Sequence, residues 1–368
     1  MMLFAAGGSL LPGAWAAPSG PSGSTTLLAA WQSPDEHRVG LVEVGARQWS
    51  VQRSLPVPTR AHGLLVERGA SVLAVARRPG DWLLRWHPAS GKAQWHWAAD
   101  DRRFNGHVLA SADGRQLWTT ETDLDTALGC LGQRDPKSLE KTAEWSTHGM
   151  DPHALLALPQ AVGEWPAGTL VVANGGIPTL PETGRAKRAL GRMDASLVAL
   201  NPQTGALLGQ WRLDNPWLSI RHLAWDPVTR TVGIALQAEH PDKAARFDSP
   251  VLAVWDGQGL RAATAQPALA GYGGDICARP GGGFVVSCPR ADVLALFSAD
   301  ARWSDSLAHK TAYALAAAPG AAAAPWWASG DEGVLVVGEG DRPPRVAPAA
   351  PQAPQHLQFD NHWQRWLT

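Results

Sequence analysis

Three histidines, His62, His107 and His153, stand 45 and 46 residues apart, each at the start of a short apolar run bounded by turn formers. A repeat of about 40–50 residues built from short strands has the size of one four-stranded propeller blade. His222 follows after 69 residues, an interval lengthened by a loop-like insertion over residues 175–192. The runs Thr25–Trp31, Gly63–Ala76, Val108–Thr120, Leu155–Asn174, Leu223–Gln237, Ile276–Cys288 and Ala312–Ser329 all suit strands. Turns such as Ala112-Asp113-Gly114-Arg115 and Pro280-Gly281-Gly282 punctuate them. With the N-terminal segment, the insertion and a Pro-rich linker over residues 341–355 set aside, the length suits about seven such units. The sequence therefore predicts an all-β chain: a seven-bladed β-propeller of the WD/YVTN-like kind, one domain over residues 25–368. A pair of β-sandwiches would match the strand density but not the spacing. Ring closure demands that strand edges be paired, so His356–Trp366 is expected to pair with the N-terminal blade and carry Asn361 and His362 toward the axis.

Composition narrows the function classes. The 368 residues carry 32 Lys plus Arg against 33 Asp plus Glu, a formal net charge of −1. That balance argues against a nucleic-acid binder or an electrostatic membrane clamp. Hydrophobic residues make up 45% and charged residues 18%, enough for a substantial core. Nineteen Trp against two Tyr point to no function by themselves. Residues 1–16 read as a signal peptide, with Ala14-Trp15-Ala16 as the cleavage pattern, and residues 17–24 as a flexible tail. The apolar start is too short and too broken for a span, so the mature form is expected to have none. The first cation is Arg38, so the expected basic leader, a twin-Arg pair included, would lie upstream. Export to the periplasm is expected, by a Sec or a Tat route. Cys130, Cys277 and Cys288 imply no disulfide framework, and a turn at Gly281-Gly282 would set Cys277 opposite Val285 rather than Cys288.

The histidines are the strongest candidates for chemistry. His62, His107, His153 and His222 begin innermost strands, His148 lies just before one, and His362 joins them if the ring closes. Imidazoles converging at one channel mouth would suit a divalent metal, Fe, Cu or Zn. Glu121 ends the strand that His107 begins and is the weaker candidate ligand. The opposing reading gives each histidine a structural role, bonding backbone carbonyls within its blade. Asn174 with Gly175-Gly176 at the insertion root, together with Arg185 and Arg221, suggests an anionic ligand. No Gly-x-Ser-x-Gly elbow or paired Cys-x-x-Cys occurs, and one Gly-x-x-x-Trp turn, Gly91 to Trp95, is little support for a quinone enzyme.

Gly106-His107-Val108-Leu109-Ala110-Ser111-Ala112-Asp113-Gly114-Arg115, His148-Gly149-Met150-Asp151-Pro152-His153, Ser219-Ile220-Arg221-His222-Leu223 and Asp360-Asn361-His362-Trp363 occur in this order. In that combination the chain resembles the domain-of-unknown-function family 1513. The resemblance implies a propeller exported to the bacterial periplasm, often by the twin-Arg route. It also implies imelysin-like or di-haem peroxidase-like partners in iron acquisition or redox handling. It implies no reaction. Ala154 stands where the family usually has an acidic residue. The first expectation is thus a metal- or small-ligand-binding accessory rather than an enzyme. The alternatives are a metal-dependent lactonase-like hydrolase, which would draw on Glu121 and Asp275, and a purely protein-interaction platform.

Overall fold

A computed structural model describes residues 24–45, 47–178, 189–318, 325–331, 333–337, 345–351, 353 and 357–366. Short aliphatic and β-branched runs form strands, and Gly, Pro, Asn and Asp clusters turn them back on themselves. In one blade, Ala61–Val66, Val72–Ala76, Trp82–Trp86 and Ala93–Trp97 pair in sequence order. Its two middle strands are buried at every position, because both faces are covered by neighbouring blades. That explains why Val72–Ala76 is apolar throughout and why Trp82–Trp86 is apolar but for Arg85, which pairs with Glu67. The fold is an all-β propeller.

Six of the sheets are such four-stranded meanders. The remaining sheet is five-stranded and composite. Thr25–Gln32, His37–Val44 and Trp49–Val57 supply three strands, while Gln358–Phe359 and Gln364–Arg365 both pair antiparallel with Thr25–Gln32. The expectation of a seven-bladed propeller is corrected accordingly: six sheets are regular four-stranded blades, and the two ends of the chain build the remaining sheet together. Contacts between inner strands run from Ala61–Val66 through Arg102–Ala110, Pro152–Ala157, Leu218–Asp226, Ile276–Ala278 and Leu315–Ala317. They return to Ala61–Val66 through Gln364–Arg365, so the C-terminal segment completes the circle.

Apolar clusters fill the gaps between adjacent sheets. At the closing seam Trp31, Trp49, Trp327, Phe359 and Trp363 share one cluster. The Phe359 ring lies 5.3 Å from Trp49 and 4.9 Å from Trp363. Between two later blades Trp211 packs 5.0 Å from Trp255. Several tryptophans are therefore broad plates between twisted sheets, a packing role that accounts for part of their number.

One further expectation changes. Within the Pro-rich stretch read as a linker, Arg345–Ala347 is the outer strand of the last blade, and Ala349 bridges to Trp49. The signal segment 1–16 and all but Ser24 of the tail lie outside the described residues. Cys277 does face Val285, and all three cysteines are free and buried. No helix among the described residues is long and apolar enough to cross a membrane.

Candidate metal centre

Four histidines are aimed at the axis by irregularities in their own strands. The ladder slips between Ala61 and Leu64, Phe104 and Val108, Pro152 and Leu155, and Ile220 and His222. The residues left out of the ladder include His62, His107 and His153, whereas at the fourth slip it is Arg221, and His222 next to it pairs with Ala235. A bulge leaves a residue unpaired and redirects its side chain, which frees the first three imidazoles from the alternation of the strand and turns that of His222 by shifting the register just before it. Glycine permits the crowding that results. A Cβ on Gly63 would strike the backbone of Gly106 and His107, and one on Gly106 would come 2.8 Å from the His62 ring. Gly106 also has φ +100°, which glycine adopts at little cost. His362 arrives differently, at φ 71° between the two closing strands.

The five rings form one cluster. The His62 centroid lies 4.9 Å from His107, 5.1 Å from His153, 5.6 Å from His222 and 4.8 Å from His362. His222 lies 4.3 Å from His362 and 4.6 Å from His153. His153 Nε2 is 3.2 Å from His62 Nε2 and 2.8 Å from His222 Nε2. His62, His107, His222 and His362 each present one ligand atom, all within 4.8 Å of one another. His62 Nδ1, His107 Nε2, His153 Nδ1, His222 Nδ1 and His362 Nε2 are buried without a hydrogen-bond partner. The rings are therefore not individually satisfied by neighbouring main chain, as the structural reading of these residues requires. Burial, reinforced by neighbouring rings and arginines, holds His62, His107, His153 and His222 well below the usual histidine range. They are neutral imidazoles, the state that binds metal.

Polar groups brace the cluster from outside. His362 Nδ1 lies 2.9 Å from Asp275 Oδ1, and Asp275 also accepts hydrogen bonds from the Ile276 and Leu315 amides. This carboxylate orients the ring and leaves Nε2 facing inward. Asn361 donates to the Gly274 carbonyl at 2.8 Å, and Asp360 pairs with Arg60. Arg221 Nη1 meets Asp151 Oδ2 at 2.7 Å, and Arg78 takes the other oxygen of the same carboxylate. Burial, and then repulsion from Arg78, lowers the Arg221 pKa to about 10. A Cβ on Gly175 would lie 2.6 Å from Asp151 Oδ2 and 2.7 Å from Arg221 Nη1, so the insertion root packs directly on this ion pair.

Other expected site residues stand elsewhere. His148 is exposed at φ 54°, and only its backbone is engaged, by Ser146 and Gln210. Asn174 is fully buried and donates to the Thr147 carbonyl and Ser196 hydroxyl, bracing a turn rather than lining the cluster. Arg185 lies outside the described residues. Glu121 is buried in its own blade, 2.7 Å from Arg134 and 3.2 Å from Lys141. It lies near Cys130 and Glu144, but Arg102, Arg134 and Lys141 already neutralise the two carboxylates, and burial keeps the Cys130 thiol protonated. Cutting Glu121 to Gln strands the Arg134 charge in the core, an expected loss of about 3–5 kcal/mol in unfolding free energy. Urea titration measures it, and a stability within ~1 kcal/mol of the parent would contradict the pairing.

Sequence reasoning missed Arg78 and the Asp151 pairing, and it read Asp275 as a hydrolase ligand rather than a support for His362. The local signals were faint: Arg77-Arg78-Pro79 after a strand, and Asp151 two residues before His153.

The sequence model of a family described as "Protein of unknown function (DUF1513)" matches residues 55–366. No curated protein matches. Among solved structures, the chain is similar to virginiamycin B lyase from Staphylococcus aureus, with 10% identity, TM-score 0.57, and coverage of 82% of this chain and 91% of that one. It is also similar to Kuenenia stuttgartiensis hydrazine synthase, with 11% identity, TM-score 0.61, and coverage of 90% and 99%. Saccharomyces cerevisiae Sqt1 follows at 12% identity and TM-score 0.51, with coverage of 82% and 78%. At these identities the likeness concerns the fold alone.

Proposed function

The chain belongs to the DUF1513 family, and from that premise we propose that it binds a transition-metal ion through imidazoles at one mouth of the propeller channel. It would do so as an exported, periplasmic accessory to an iron-uptake or redox system. The observation that carries the metal reading is the convergence of five histidine rings from five separate segments, four of which, His62, His107, His222 and His362, offer ring nitrogens within 4.8 Å of one another. Tetrahedral ligation at about 2.0–2.1 Å separates nitrogens by roughly 3.3 Å, a spacing that the four nitrogens of His62, His107, His222 and His362, all within 4.8 Å of one another, can reach by small ring movements. The donors are neutral nitrogens without a direct carboxylate, a set that suits Zn, Cu or ferrous iron and disfavours Mg or Ca. Asp275 behind His362 supports the same reading, since ligating histidines usually donate their second N–H to a carboxylate or carbonyl. Compartment and role rest on the N-terminal sequence and the family resemblance.

Elemental analysis of protein exported and purified without chelator tests the proposal. About one equivalent of metal is expected in the parent and in His148→Ala, and little in His107→Ala/His153→Ala. Substoichiometric metal in the parent would remove the proposal. Co-purification of an imelysin-like or di-haem peroxidase-like protein tests the accessory role.

A further inference from the structure

Beside the histidines lies a cavity of about 170 Å³, lined by Arg77, Arg78, Arg221 and Arg290 together with His62, His153, His222, Gln237, Tyr272 and Asn361. None of the described residues that line it is acidic, although buried Glu239 lies near enough to favour the Arg221 charge. Asp151 reaches two of the arginines from behind, and Arg290 is exposed at the rim with its guanidinium 4.1 Å above the Tyr272 ring. Arg221 Nε is buried and unpartnered although Arg221 is only 3% exposed. Guanidinium groups beside neutral imidazoles form a positive pocket, and adding a cation would make it more so. Fork-shaped donors match the paired oxygens of carboxylate and phosphate. The volume corresponds to about six waters at ~30 Å³ each, which admits a small polyatomic anion and excludes a nucleotide.

We propose that this site takes its metal together with a small multiply charged oxyanion, a dicarboxylate or phosphate, held by the arginines with an oxygen facing the imidazoles. The inference rests on the metal reading above and adds the class of the second ligand. Its charge would offset the guanidinium groups, so metal and anion would bind more tightly together than apart.

The test uses the full chain loaded with Cu(II), titrated with oxalate and with inorganic phosphate at constant ionic strength, with chloride as control. Binding is followed by calorimetry and by the copper visible and electron paramagnetic resonance spectra. The expected result is saturable binding of oxalate, phosphate or both that shifts the copper spectrum. Arg290→Gln, a rim change outside the imidazole set, should weaken it at least about tenfold while copper stoichiometry stays unchanged. Absence of anion binding, binding that leaves the copper spectrum unmoved, or equal affinity in Arg290→Gln would overturn the proposal. Failure of the metal reading itself shows separately, as a parent chain that retains no copper. Calorimetric anion binding to such a chain, weakened by Arg290→Gln, would leave an anion cavity and discard the joint site.

Discussion

Deleting residues 355–368 is expected to abolish cooperative folding of the whole propeller rather than fray one end. The deleted stretch contains Gln358–Phe359 and Gln364–Arg365, both paired with Thr25–Gln32. It also contains Phe359 and Trp363, which pack with Trp31, Trp49 and Trp327 at the seam. Truncating one buried Phe or Trp typically costs about 3–5 kcal/mol, against a total stability of roughly 5–15 kcal/mol for a domain. Losing both, with the strand pairing and the Arg60–Asp360 ion pair, consumes most of that range. Circular dichroism melts of the truncated and full chains decide the matter. A truncated chain with the parental melting temperature would show that the ring does not depend on this closure. Trp363→Ala, a milder change, should lower the melting temperature while retaining a single transition.

Metal-free protein should lose stability steeply below about pH 6.5, the ordinary histidine range. Burial comes first among the causes that hold His62, His153 and His222 well below that value in the folded chain. Folded rings therefore stay neutral while unfolded ones take up protons, so the unfolded state binds more protons as the pH falls. Stability is complete above the unfolded value and declines below it until the folded rings protonate. His107 is lowered in the same way, so at about 1.4 kcal/mol per pH unit for each group the four together give a slope of about 5. Urea midpoints at pH 7.5, 6.5 and 5.5 measure this. A flat profile would mean that the rings are accessible to protons in the native state. His62→Gln/His222→Gln should remove about half of the slope, whereas His148→Ala should leave it intact.

The positions of His62, His107 and His153, and of His222 once the insertion is set aside, were legible because blades are local units, whereas His362 was reached only through the need for a closing segment. Each blade repeats one strand-turn pattern, so equivalent residues recur at a near-constant interval and the topology carries them to one end of the channel. His148 was not separable from His153 by that reasoning, since both lie within six residues at the start of the same strand. What separates them is backbone conformation: His148 sits in a left-handed turn pointing outward, and His153 in a bulge pointing inward. Glu121 was misjudged for a related reason. Nothing near it in sequence announces Arg134 and Lys141, which face it only once the neighbouring strands pair.

From its residues alone this chain determined its strands, turns, blade period and the need for a closing segment, because those follow from local propensity and from the penalty for open sheet edges. Only the folded ring decided which rings meet, that Asp275 would support His362 from 87 positions away, and that four arginines would share a cavity with the histidines. Side-chain direction across an axis depends on bulges and on the packing of distant segments, and neither is encoded within any single blade.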